Sequence, residues 1–172
     1  MTDSDEIPAY IAITKVRAKA IGGLVSELTV KDHAAIIADE PLDFVIGDPV
    51  ELAGTDKGWT PVQYQLAALI SCANVATMIV ANDQSFALDG LEIRAQSNLD
   101  LRGLITELDR QPRFEHVGIE FRIATSEPPE RIEALAQEAD RRCPQLGLFH
   151  AAGVPITQTW TRDGEVVCVM QA

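Results

Sequence analysis

Cysteine is scarce in this chain, with three in 172 residues: Cys72, Cys143 and Cys168. So small and odd a number does not make a disulfide scaffold. It fits a reducing cytoplasm, where any disulfide is transient and functional. Basic residues are also few. There are 14 Lys and Arg against 26 Asp and Glu, a formal charge of −12. Nucleic acid and anionic membrane surfaces call for clustered cations, so neither is an expected partner. No unbroken apolar run reaches about 18 residues, and no transmembrane span is expected. The opening MTDSDEIPAY is acidic and lacks the positive and apolar segments of a secretory signal. Gly54-Thr-Asp-Lys-Gly58 lacks the Gly-Lys-Ser/Thr ending of a phosphate loop, and no GxGxxG follows a strand. No G-x-S-x-G elbow supports a serine nucleophile. His33, His116 and His150 stand apart from other ligands at metal spacing, so no metal is expected.

Apolar residues make up 47% of the chain, enough for a real core and against disorder. Residues 1–9 read as an acidic tail and 10–172 as a single domain. Tyr10 to Ala20 reads as a strand. Gly22-Gly23 reads as a hairpin turn, and Leu24 to Ala38 as a further extended stretch. Residues 42–60 read as a connection. Thr60 and Pro61 are good helix-start residues, and Leu66, Leu69, Ile70, Ala73, Ala76, Ile79 and Val80 recur at helical spacing. This helix is apolar on most sides and is expected to be central and buried, ending near Asn82-Asp83. A strand over 91–98 and a short helix within 99–110 follow. Val117, Ile119, Phe121 and Ile123 alternate with polar residues or glycine as a strand. A second helix carries Ile132, Leu135, Ala136, Ala139 and Cys143 on one face and stops at Pro144. A hairpin turning at Asp163-Gly164 closes the chain. This order is not regular βαβ alternation, so it indicates an α+β domain with mostly antiparallel sheet.

Two readings of Cys72 and Cys143 stand side by side. Either both are packed core residues, as free cysteine often is, or they form a redox pair. Cys72 lies about three turns inside its helix, beyond useful help from the N-terminal dipole. A thiolate there needs a cation from another segment, with Arg17, Arg94 and Arg122 as candidates. Cys143 is expected at a helix C-terminus, where the dipole disfavours a thiolate. That suits a resolving thiol. Cys168 has no motif around it and reads as structural.

The run from Gly54 through Trp59-Thr60-Pro61 to Ser71-Cys72 resembles the signature of the OsmC/Ohr-like family. Cys143-Pro144, followed by Gly153-Val-Pro-Ile156, and Asn98-Leu-Asp-Leu-Arg-Gly103 resemble two further family segments. The resemblance implies an OsmC-like fold, with curved sheets around a central buried helix in an intertwined homodimer. It implies thiol-dependent reduction of organic hydroperoxides without cofactor. Cys72 would be the nucleophile, Cys143 the resolving thiol and a dithiol the reductant. Where the family carries an early helix glutamate this chain has Gln63, preceded by Val62, and Leu24 follows Gly22-Gly23 where an arginine would be expected. Gln63 and Arg17 are then the supporting candidates. The alternative is a dimer of the same fold that binds a small apolar ligand with little or no peroxidase activity.

Overall fold

The described strands fall into two sheets, one in each of two units, Met1–Pro61 and Val62–Ala172. A computed structural model describes residues 16–22, 25–30, 36–38, 59–100, 102–105 and 107–171, with the backbone alone for the strands of the first unit and for Leu104 and Ile105. In the first unit β1 (Val16–Gly22), β2 (Val25–Val30) and β3 (Ile36–Ala38) form an antiparallel meander. The expected single stretch from Leu24 to Ala38 is therefore two strands. The acidic tail, the start of the first expected strand, His33 and the 42–58 connection lie outside the described residues.

The second unit runs α1 (Pro61–Asp83), β4 (Gly90–Asp100), α2 (Arg102–Ile105), β5 (Arg113–Ala124), α3 (Pro129–Arg142), α4 (Pro144–Ala151), β6 (Ile156–Arg162) and β7 (Glu165–Gln171). The sheet order is β4-β5-β6-β7. This is the α+β architecture expected. The β4–β5 and β6–β7 pairs are antiparallel, but β5–β6 is parallel, so the sheet is mixed. A parallel pair needs a long crossover, and α3 and α4 supply it. The closing hairpin turns at Asp163 and Gly164, both at positive φ (53° and 83°), the geometry that two-residue turns demand.

α1 buries Leu69, Ala73, Ala76, Thr77, Val80 and Ala81 at helical spacing. All of these but Thr77 pack with Val117, Ile119 and Phe121 of β5 and with Ile132 and Leu135 of α3 in one core cluster. Phe121 and Trp160 are register partners on β5 and β6, and their rings stack 4.1 Å apart and nearly parallel. Each large side chain buried here contributes about 1.5–3 kcal/mol. The expectation that α1 is buried on most sides is corrected, because Val75, Met78 and Ile79 are 54%, 49% and 46% exposed. α1 also has the length and hydropathy of a membrane-crossing helix. The sequence reading missed this because polar residues such as Ser71 and Asn74 break the run without lowering its mean far enough.

Between β4 and β5, Asp100, Arg102 and Arg110 form a clasp. The Asp100 carboxylate accepts from the Arg102 backbone N–H and side chain and pairs with Arg110 Nε at 2.6 Å. The Arg102 hydrogen bonds hold its pKa well below the usual carboxylate range. Gly103 sits so close to the Arg110 carbonyl that an added Cβ would lie 1.8 Å from its oxygen. Gly103→Ala should therefore lower unfolding stability by about 1–3 kcal/mol, measured by urea denaturation. An unchanged midpoint would mean that the clasp yields freely.

Candidate active site

α1 and the α3–α4 corner bring Cys72 and Cys143 together. Cys72 is half-buried beside Ala73 of the buried stripe and packs against the core cluster. Cys143 is 1% exposed. Cys143 belongs to the buried cluster against which Cys72 packs, and both are free thiols.

Proline places Cys143. Pro144 has no N–H to continue α3, and its ring disfavours helical backbone in the residue before it. Cys143 is accordingly extended, at φ −82° and ψ 113°. Its own N–H still reaches the Asp140 carbonyl at 3.2 Å. The expectation that Pro144 merely stops a helix is corrected, because Pro144 is also the first residue of α4. A proline loses nothing at that position, where the N–H would have no partner. Cys143 is thus at once the C-cap of α3 and the N-cap of α4.

Burial pushes the Cys143 thiol up to about 11, and the hydrogen bond and charge of Cys72 push the same way. The backbone N–H groups of Leu146 and Gln145 oppose the shift. Neither closes a formal side-chain cap; they act as nearby partial charges. Desolvation is therefore the main cause of the neutral Cys143 thiol, which stands at the C-terminus of α3 where the sequence reading placed it. Cys168 lies on β7 opposite Trp160, against the core cluster. Burial, with the charge of Glu133, raises its pKa.

Two of the proposed activating cations, Arg94 and Arg122, are not gathered here. Arg94 and Arg122 stand on the opposite face of the sheet from the core, each register partner to a glutamate of the neighbouring strand, Arg94 to Glu120 and Arg122 to Glu92. Arg94 binds Glu92 at 2.7 Å and Arg122 binds Glu120 at 2.9 Å. Alternation explains this: Phe121 and Ile123 face the core, so Arg122 between them cannot. Arg17 lies on β1 opposite Thr29, and its side chain is outside the described residues. Gln63 is exposed in the first turn of α1. Nine residues turn a helix through about two and a half revolutions, so Gln63 and Cys72 leave α1 in opposite directions, about 13 Å apart along its axis.

A polar cluster beside Cys143 escaped the sequence reading. Asp140 Oδ1 accepts from His150 Nε2 at 3.0 Å and from Gln158 Nε2. His150 is therefore not isolated. The available signal was Gln158, a polar residue between Ile156 and Trp160 at inward positions of β6. His116 meets the Thr157 hydroxyl at 2.9 Å. Among the described residues no group of three or more His, Cys, Asp or Glu side chains is placed to hold a metal.

An α+β unit that buries one thiol against another at a Cys-Pro helix junction is a recognisable class. The family model described as OsmC-like protein matches residues 54–159, and this chain belongs to that family. Its fold is similar to the OsmC-like protein of Mycoplasma pneumoniae, at 13% identity and a TM-score of 0.69 over 88% of this chain and 97% of that one. It is also similar to an organic hydroperoxide resistance protein OsmC of Legionella pneumophila (19% identity, TM-score 0.64, 88% and 97% covered). The organic hydroperoxide resistance protein OhrB of Bacillus subtilis gives 20% identity and a TM-score of 0.59, with 88% and 98% covered. A search of curated protein sequences gave no match.

Folding raises the Cys143 pKa from 9.0 to about 11. The resulting stabilisation is full below the unfolded value and is lost as pH rises through the folded one. The urea midpoint should fall between pH 9 and 11, less steeply in Cys143→Ser. Equal slopes would show that this thiol titrates alike in both states.

Proposed function

We propose that the chain is a thiol-dependent peroxidase that reduces organic hydroperoxides to alcohols in a reducing cytoplasm. The observation that carries this reading is that half-buried Cys72 packs against the buried cluster that holds the Cys143 thiol, near enough to raise the Cys143 pKa. As a thiolate, Cys72 attacks one peroxide oxygen. The O–O bond breaks, the alkoxide leaves and takes a proton, and Cys72 becomes a sulfenic acid. The Cys143 sulfur then displaces hydroxide from Cys72. Its proton leaves with that hydroxide as water, and a disulfide remains. A dithiol reductant returns two electrons and restores both thiols by exchange. The partly apolar surroundings of Cys72, which include Leu69, Ala73 and Ala76 on its own helix, favour alkyl hydroperoxides over hydrogen peroxide.

The exposed apolar face of α1 supports a homodimer. Val75, Met78 and Ile79 stand where a second copy would cover them. Val75→Glu with Met78→Glu should then shift the sedimentation coefficient to that of a monomer. A wild-type protein that already sediments as a monomer would remove the dimer.

One observation favours the second reading, a dimer that binds an apolar ligand without turnover. The first turn of α1 holds no acidic side chain that could orient an activating arginine. Intact mass before and after one equivalent of cumene hydroperoxide separates the two. Loss of two thiols to a Cys72–Cys143 bridge is the expected result, and unchanged thiols would leave the ligand-binding reading. Cys72→Ser should abolish hydroperoxide consumption. Cys143→Ser should stop after one turnover with the sulfenic acid trapped, and sustained turnover would remove Cys143 from the mechanism.

A further inference from the structure

We infer that Asp140 is a positioning residue for Cys143, fixing where the buried thiol stands relative to Cys72. This inference rests on the redox reading of the cysteine pair. Three bonds to one residue carry it. The Asp140 carbonyl accepts the Cys143 N–H at 3.2 Å. The Asp140 carboxylate accepts from His150, in the last turn of α4, at 3.0 Å. The same oxygen accepts from Gln158 on β6. Asp140 thus ties together the end of α3, the far end of α4 and the next strand, and Cys143 is the hinge between the two helices.

The chemistry of each partner sets its orientation. An ionised carboxylate only accepts, so the His150 ring carries a proton on Nε2 and Gln158 turns its NH2 toward Asp140. That leaves Gln158 Oε1 buried without a partner. Gln158 is 3% exposed, so the orphan oxygen is a cost to the fold. An apolar residue would pack at this position of β6 without that penalty, and would also lose the hold on Asp140. On its other side, Asp140 lines with His150, Gly153, Val154 and Pro155 an open cavity of about 420 Å³. The carboxylate therefore keeps water on one side while Gln158 grips it from the core.

Positioning matters because a disulfide needs Cα atoms about 4.4–6.8 Å apart and a defined torsion. A small displacement of an oriented pair of groups reduces its effective concentration by orders of magnitude. Cys143 stands at the junction of two helices and inside neither, so the brace from Asp140 fixes the angle between them.

The test uses the full chain in glutathione redox buffer, which needs no peroxide. Two protein thiols and one glutathione disulfide exchange to give the protein disulfide and two glutathiones. In wild type the Cys72–Cys143 bridge should form. In Asp140→Ala the equilibrium should shift toward the dithiol by at least about tenfold. Asp140→Asn keeps an acceptor oxygen for His150 and Gln158 and should stay close to wild type. Alkylation of Cys72 by iodoacetamide should be unchanged in both variants, which separates positioning from general loosening. If Asp140→Ala does not fold, Gln158→Leu and His150→Ala release the brace from the other side and should shift the equilibrium in the same direction. A folded Asp140→Ala with the wild-type equilibrium overturns the inference, as does a wild type that forms no bridge. A wild type that bridges in glutathione but consumes no cumene hydroperoxide overturns the peroxidase reading alone.

Discussion

A proline cannot donate a backbone hydrogen bond, and at Pro144 that deficit organises a large part of the second unit. It ends α3 at Arg142, forces Cys143 out of helical backbone and begins α4 at no cost. The change of direction lets the chain return to the sheet and lay β6 parallel to β5. With β6 in that place Trp160 reaches Phe121 and Gln158 reaches Asp140. Without the break, one continuous helix would carry Cys143 past the core. The buried thiol, the crossover and the polar brace all follow from one missing N–H.

The electrostatic character of the site comes from desolvation more than from charge. Few cations are available, and two of the candidates, Arg94 and Arg122, are each paired with a glutamate two residues away on the same strand. Cys143 is held neutral by its surroundings, with only the N–H groups at the start of α4 pulling the other way. In the proposed peroxidase reading, the more exposed sulfur of Cys72 meets the substrate and the buried one of Cys143 waits out of reach of solvent oxidants.

Much of the second unit was legible because its signals are local. Pro61 with the Leu69–Ala73–Ala76–Val80 spacing marks α1, the Val117–Ile123 alternation marks β5, and Asp163-Gly164 marks the last turn. The misreadings share another origin. Whether Pro144 stops a helix or joins two depends on what lies beyond it, and the parallel β5–β6 pair depends on where the crossover lands. The direction of Arg122 followed from the alternation already noted for its neighbours, and was overlooked. The nearness of Cys72 to Cys143 spans elements that are distant in sequence, and the residues alone left it as one of two open readings of the pair, which the family resemblance then favoured. His150 looked isolated because its partner, Asp140, lies on another helix.

The two tryptophans are placed very differently. Trp59 belongs to the first unit and is 57% exposed, whereas Trp160 lies fully buried in the second, stacked on Phe121. Indole emission shifts to longer wavelength as water gains access to the ring. The chain therefore carries a built-in optical label on each unit, one red and one blue in the folded state. Loss of the blue component alone would report opening of the thiol-bearing core, read by fluorescence without any added dye.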